Sequence, residues 1–240
     1  MRKRALVTGG SGAIGTAICR ELASAGLHVI VHGHRHPDRA QFLAESICAE
    51  GGSAEPVGFD VTDYQETHAA LDKLLQAGAV QILVNNAGVY RDAPMAGMTA
   101  DQWSSVIDVS LKGFFHVTQP LLLPMIRSRW GRIVTITSVS GLIGNRGQVN
   151  YAAAKAGLHG ATKALALELS SRGITVNAVA PGIMATPSTG ALFDAQTIAR
   201  LVPMKRAGAP AEVASMVTYL VSDAASYLSG QIISVNGAMA

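Results

Sequence analysis

Short apolar runs alternate with longer segments of helical period along the whole chain. Residues 5–7, 27–31, 54–59, 80–84, 133–137, 174–179 and 232–235 are brief, rich in branched aliphatics and bounded by turn residues, which predicts seven buried strands. Between the first two, Ile14, Ile18 and Leu22 recur at helical spacing and the run stops at Gly26. Segments 37–50, 63–76, 101–127, 150–171 and 210–222 read as further helices. The longest, 101–127, is expected to bend near Pro120 or Pro124, because proline lacks the amide that continues the ladder. Short strands without polar alternation need cover on both faces. The prediction is therefore an α/β, doubly wound fold: a single seven-stranded parallel sheet with helices on both faces, in one domain over 1–240. Residues 185–209 break the alternation and mix Pro, Gly and apolar residues; they are expected to form a mobile lid over the site.

Composition adds few constraints. At 240 residues and 49% hydrophobic the chain can bury a sizeable core, and with 25 Gly against 5% aromatics it packs through small and branched side chains. The net charge of +3 is scattered, without the stripe a nucleic-acid surface needs. Cys19 and Cys48 form no CxxC and are expected to be core fillers of a cytosolic protein. Arg2-Lys3-Arg4 resembles the start of a signal peptide, but only Ala5-Leu6-Val7 follows, too short for an h-region. No apolar stretch approaches the length of a membrane span.

Two stretches carry chemistry. Thr8-Gly9-Gly10-Ser11-Gly12-Ala13-Ile14-Gly15 joins the first strand to the first helix. Glycines there permit a tight turn and close approach of a pyrophosphate, and the helix N-terminus supplies free N–H groups. The second strand ends in His32-Gly33-His34-Arg35-His36, with no acid before Asp38. An acid would pair with the ribose 2′-OH of NAD, whereas Arg35 can hold a 2′-phosphate, so NADP(H) is predicted. The period-two histidines also admit a metal reading, but no other His or Cys stands at ligand spacing; a solvated loop is the remaining alternative.

The second stretch, 138–155, places Tyr151 and Lys155 at i, i+4 among good helix formers, so both rise from one helix face. An ammonium beside a phenol favours the phenolate and makes a proton-transfer pair. Taken alone, that spacing also suits an ordinary surface helix.

Together, residues 8–15, Asp60-Val61, Asn85-Asn86-Ala87-Gly88, Ser138, Tyr151-x3-Lys155 and Pro181-Gly182 resemble the short-chain dehydrogenase/reductases, with spacing intact over the whole chain. Within them the chain is most similar to the 3-oxoacyl-acyl-carrier-protein reductases, and SVSGLIGNRGQVNY looks closest to the aryl polyene branch. The resemblance implies a Rossmann fold and a homotetramer built on the two long helices and the last strand. It also implies NADPH-dependent reduction of a 3-oxoacyl group carried on an acyl carrier protein. Tyr151 would protonate the ketone oxygen, Lys155 would bind the nicotinamide ribose and lower the tyrosine pKa, and Ser138 would hydrogen-bond the substrate carbonyl, with Ser140 a less well spaced substitute. Gly9, Ser11, Gly12, Ile14 and Gly15 would hold the pyrophosphate, Asp60 and Val61 the adenine, and Asn86, Ala87 and Gly88 the adenosine ribose. Pro181, Gly182, Ile183 and Thr186 would fix the nicotinamide.

Two positions depart from that pattern. Ala13 stands where the family usually has Gly, and Ser110 where it usually has the Asn of a proton relay. Ser110 is expected to keep a weaker relay through water.

The same resemblance makes Gln148, Arg129 and Arg172 substrate or carrier contacts, with Arg127 and Arg132 nearby; as plain residues they equally read as solvated helix ends. Leu192, Phe193, Ile198, Leu201 and Val202 could cover an acyl chain or simply pack the lid. The small residues Ala153, Gly157, Gly160, Ala161 and Ala164 suit close helix contact between copies. Two other functions stay open: a reductase of free small ketones or sugars, and a non-catalytic nucleotide-sensing or scaffolding protein.

Overall fold

The computed structural model describes residues 2–240, apart from the side chains of Ser188 and Ala191. Seven strands, β1 (Arg4–Val7), β2 (His28–Gly33), β3 (Ala54–Gly58), β4 (Ile82–Asn85), β5 (Gly131–Ile136), β6 (Ile174–Pro181) and β7 (Ile232–Val235), form one sheet in the order β3-β2-β1-β4-β5-β6-β7. Every pairing is parallel. The α/β, doubly wound Rossmann architecture expected from the alternation is therefore the one present. Pro56 sits in β3, an edge strand with one neighbour, where a missing N–H is tolerated.

Side chains along the central strands alternate between two separately buried layers. Ala5, Val7, Val29, Val31, Ile82, Val84 and Val134 pack under α1 (Ala13–Ser24), α2 (Pro37–Ala49) and the helix 210–221. Leu6, Ile30, Leu83, Ile133 and Val176 face the opposite way, against α3 (Tyr64–Gln76) and the long helices of the second layer. Both faces exclude water, which is why the strands read as unbroken apolar runs. The strand order reverses between β1 and β4, so the chain leaves these two strands in opposite directions and opens a crevice at their C-terminal ends.

The expected long helix is present with a different interruption. α4 (Ala100–Ile107) passes through a π-helical turn (Asp108–Lys112) into α5 (Gly113–Ser128), and Pro120 and Pro124 lie within α5 without ending it. The break falls at Ser110, where one extra residue is accommodated and the i→i−4 pattern is lost. A short α6 (Ser140–Ile143) precedes α7 (Val149–Leu169). The segment expected to be a lid holds α8 (Pro187–Leu192) and α9 (Ala195–Leu201), followed by α10 (Pro210–Val221). Cys19 is buried as expected, but Cys48 is exposed near the C-terminal end of α2, which turns that side chain out of the core.

Leu83 is fully buried on the second face of β4. Leu83→Ala is expected to destabilise the protein by about 2–5 kcal/mol in urea unfolding with an unchanged denaturant slope; a loss below about 1 kcal/mol would contradict this packing.

Candidate active site

The crevice is closed at its base by polar bonds between the two loops that diverge there. Thr8 Oγ1 accepts from the amides of Asn86 (2.9 Å) and Ala87 (3.0 Å), while Asn86 Nδ2 donates to the carbonyls of Thr8 (2.9 Å) and Gly9 (3.0 Å). Gly9 has φ +61, and a Cβ there would press on Ala87 Cα at 3.1 Å, so glycine is required. A Cβ on Gly15 would overlap the Gly9 carbonyl, which lets the first turn of α1 sit directly on the loop. Gly12 caps α1 with no side-chain bond, leaving the amides of its first turn without a side-chain partner, as an anionic diphosphate requires. Ala13 is exposed at the first helical residue, so the methyl that departs from the family pattern displaces nothing in the turn.

The loop after β3, where the adenosine is expected, is equally built. Asp60 Oδ1 accepts from the Thr62 amide (2.9 Å) and hydroxyl (2.8 Å), and His34 Nε2 lies 3.8 Å from its other oxygen. Partial burial works to raise the Asp60 carboxyl, but the Thr62 bonds and the His34 and Arg35 charges outweigh it and hold it below the ordinary range. Arg35 is exposed at the end of β2, and Val61 is buried against Gly113. The histidines diverge: His32 is buried with both ring nitrogens engaged, whereas His34 and His36 are exposed. No group of three or more potential metal ligands occurs among the described residues.

Tyr151 and Lys155 lie on the first turns of α7, beyond the C-terminal end of β5. Lys155 is 97% buried; its ammonium donates to the Ile136 carbonyl at 2.8 Å and lies 5.5 Å from the Tyr151 ring centroid. Burial pushes its pKa down to about 8. The Tyr151 phenol is held above its ordinary range by burial, with Asp92 and Tyr90 adding to the rise and the hydrogen bond with Ser138 opposing it. The expected depression of the phenol by Lys155 is thus not the dominant effect within the chain: the amine faces a carbonyl, and burial prevails. The two serines are engaged differently. Ser138 meets the Tyr151 hydroxyl, whereas Ser140 donates its own hydroxyl to Gln148 at 3.0 Å.

Ser110 is buried in the π-helical turn and its hydroxyl has no hydrogen-bond partner among the described residues. Nor does the hydroxyl of Thr135. Both line a cavity of about 10 Å³ beside Ile136, the residue whose carbonyl holds Lys155. That is room for one water with two polar partners.

Several residues that position the site carry no motif of their own. Asn150 is fully buried, donates to the carbonyls of Arg91 (3.0 Å) and Gln102 (2.8 Å), and accepts from the Tyr151 amide (2.8 Å). It fixes the start of α7 to α4. Gly141 lets α6 lie on α7, since a Cβ would stand 3.0 Å from Lys155 Cβ. Gln148 donates to Asp92 at 2.8 Å and so ties the loop after β4 to the same helix. The signal for Asn150 was its place directly before Tyr151; only the tertiary contacts give it a role.

Pro181 ends β6 and Gly182 follows it: the Pro181 carbonyl accepts from the Val139 amide, and a Cβ on Gly182 would meet Asn236 at 2.8 Å. Thr186 caps α8, accepting from the Thr189 amide at 3.3 Å. Of the expected lid residues, Leu192 and Leu201 are exposed, but Val202 is buried against Gly237 and belongs to the packing. A larger cavity of about 360 Å³, lined by Ile183, Met204, Arg206 and the last residues of the chain, is bordered by none of Ser138, Tyr151 and Lys155.

The carrier arginines lie apart from this cleft. Arg129 precedes β5 and Arg172 precedes β6, at the opposite ends of the strands from Tyr151. Twenty-one residues separate Tyr151 from Arg172, mostly along α7, or ~30 Å at helical rise. Arg129 Nη2 donates to the Ser171 carbonyl at 3.0 Å, so these two ends are neighbours. Arg132 is not a surface residue: its guanidinium is buried, stacked on Trp130 at 4.4 Å and bonded to the Gly131 carbonyl.

A crevice at the strand reversal, with a glycine turn on one side and a Ser–Tyr–Lys group on the other, defines a nucleotide-dependent oxidoreductase. A family model described as short chain dehydrogenase matches residues 3–197, and the chain belongs to that family, whose chemistry uses a nicotinamide cofactor. Its relatives include the 3-oxoacyl-[acyl-carrier-protein] reductase FabG of Aggregatibacter actinomycetemcomitans, 44% identical over 241 residues and 100% of both chains. The acetoacetyl-CoA reductase of Acinetobacter sp. is 44% identical over 99% of this chain and 98% of its own. The FabG of Staphylococcus epidermidis is 42% identical over 100% and 99%.

The buried amine has a measurable consequence. Below about pH 8 the folded and unfolded chains both carry the Lys155 proton, and folding bears the cost of burying it; between about 8 and the usual 10.5 only the unfolded chain holds it. Stability contributed at this residue therefore rises with pH across that window. The unfolding midpoint of the wild type relative to Lys155→Met is expected to climb over it; a constant difference would contradict the burial.

Proposed function

We propose that the protein reduces a 3-oxoacyl group, presented as a thioester on an acyl carrier protein, to the 3-hydroxyacyl form with NADPH. The observation that carries the reading is the convergence of Ser138, Tyr151 and Lys155 beside a glycine turn built for a diphosphate. A reduced nicotinamide held between Lys155 and the Pro181–Gly182 segment would supply the hydride. Tyr151 gives its phenolic proton to the ketone oxygen as charge develops there, and Ser138 holds that oxygen through its hydroxyl. Lys155, fixed by the Ile136 carbonyl, places a positive charge that stabilises the phenolate left behind. Ser110 and Thr135 hold a water that returns a proton toward the lysine side.

NADP(H) is favoured over NAD(H) because the end of β2 presents Arg35 and His34, with no acidic residue next in the chain before Asp38. The substrate class is supported by the carrier-reductase and acetoacetyl-CoA reductase names of full-length relatives, since both are 3-oxoacyl thioester reductases. Helices α8 and α9 form the lid of a single domain, and Leu192 and Leu201 lie ready to cover an acyl chain. α7 leaves Ala153, Gly157, Gly160 and Ala164 exposed beside Leu167, at 86% exposure, a face suited to a second copy in a homotetramer. Arg129 and Arg172, remote from their own cleft, would then guide the acidic carrier toward the cleft of a neighbouring copy.

Oxidation of NADPH against carrier-bound, CoA-bound and free 3-oxo compounds tests this. Turnover is expected to be highest on the carrier thioester and to fall by about 10²–10⁴ in Tyr151→Phe. A protein that prefers free ketones, or a Tyr151→Phe variant of native speed, would overturn the assignment. Ser110→Ala is expected to slow turnover several-fold while leaving NADPH affinity unchanged; equal turnover would remove Ser110 from the relay.

A further inference from the structure

His32 has no role in the reading of the site given so far, yet its side chain joins two parts of it. The ring is 98% buried at the end of β2. Nδ1 accepts from the Gly9 amide at 2.9 Å, and Nε2 lies 2.8 Å from the Phe59 carbonyl. A carbonyl can only accept and an amide can only donate. These two partners therefore fix the tautomer: Nε2 carries the proton and Nδ1 is bare. The ring also lies against Phe59, with centroids 4.2 Å apart.

The consequences fall on both ends of the dinucleotide crevice. Gly9 is the left-handed residue of the phosphate turn. Its amide is taken by His32, its carbonyl by Asn86, and the neighbouring Gly10 amide by the His32 carbonyl at 2.8 Å. The inner polar groups of the turn are thereby spent, and what faces outward is Ser11, Gly12 and the first turn of α1. At its other end the ring bonds the carbonyl directly before Asp60, the residue placed at the adenine. Burial pushes the imidazole down to about 4, partly countered by the Phe59 carbonyl; His34 adds to the fall and Asp60 opposes it. The ring thus stays neutral across the physiological range, and the Gly9 bond with it.

We propose that His32 is a positioning residue for the dinucleotide: as the neutral Nε2–H tautomer it ties the phosphate turn at Gly9 to the adenine edge at Phe59–Asp60, holding both in the register that one ligand spans. The inference rests on the nucleotide site proposed above and adds a residue to it.

Two variants and one spectrum test it. Fluorescence titration of NADPH is expected to show His32→Leu binding about tenfold more weakly, the scale of one buried amide left without its acceptor. That loss should exceed any change in the KM of the ketone. His32→Gln, whose side-chain oxygen can accept from Gly9 and whose NH2 can donate to Phe59, should recover most of it. In wild-type protein, ¹⁵N NMR of the imidazole should show Nε2 protonated and Nδ1 bare from pH 8 down to about pH 5. Native affinity in His32→Leu, a Gln variant as weak as the Leu variant, or a proton on Nδ1 would each overturn the proposal. If His32→Leu fails to fold, the Gln variant and the spectrum decide. Wild-type protein that binds no NADPH would refute the nucleotide reading itself, an outcome separate from any of these.

Discussion

The structure depends on the Thr8 hydroxyl accepting the two amides of Asn86 and Ala87. A parallel sheet covered on both faces forces its connections apart where the strand order reverses, and the exposed strand ends there have polar groups to satisfy. One side chain on the β1 loop and one on the β4 loop satisfy them across the gap. The result is a crevice with fixed walls. The glycine turn, residues Asn86 to Gly88, and the Tyr151 helix are all placed relative to that junction.

Cost and function are linked at Lys155. A lysine amine placed deep in the protein loses hydration, and among the described residues the Ile136 carbonyl is the hydrogen-bond acceptor offered in return. The fold tolerates this because β5 and α7 are held by independent means: Asn150 to the α4 side, Gly141 to α6, and the apolar layers on each face. In the proposed reaction the same burial that destabilises the charge would make it effective, since an unscreened ammonium acts more strongly on a phenolate than a solvated one. Tyr151, raised in pKa by its own burial, is kept as the protonated phenol.

Much of this was legible in the sequence. Strand positions followed from apolar runs such as ILVN in β4 and IISV in β7, because a sheet buried on both faces leaves an unmixed signal. The Ser–Tyr–Lys spacing and the glycine turn are local, and local geometry survives folding. What could not be read depends on neighbours distant in the chain. Arg132 looked like a surface cation until Trp130 and the Gly131 carbonyl enclosed it. The three histidines share a sequence period, yet the end of β2 at Gly33 sends His32 inward and leaves His34 in solvent. Asn150 has no periodic or compositional mark at all; its importance comes from carbonyls 48 and 59 residues away.

The π-helical turn at Asp108–Lys112 has a geometric result that reaches beyond the site. Inserting one residue slips the phase of everything after it by about 100°, one residue's rotation about a helix axis. The apolar stripe of α4 faces α7, whereas that of α5 is carried round to meet α3 and β5. One rod of peptide thereby serves neighbours on two sides that an unbroken helix could not address together, and deleting a single residue from that turn would misalign every contact downstream of it.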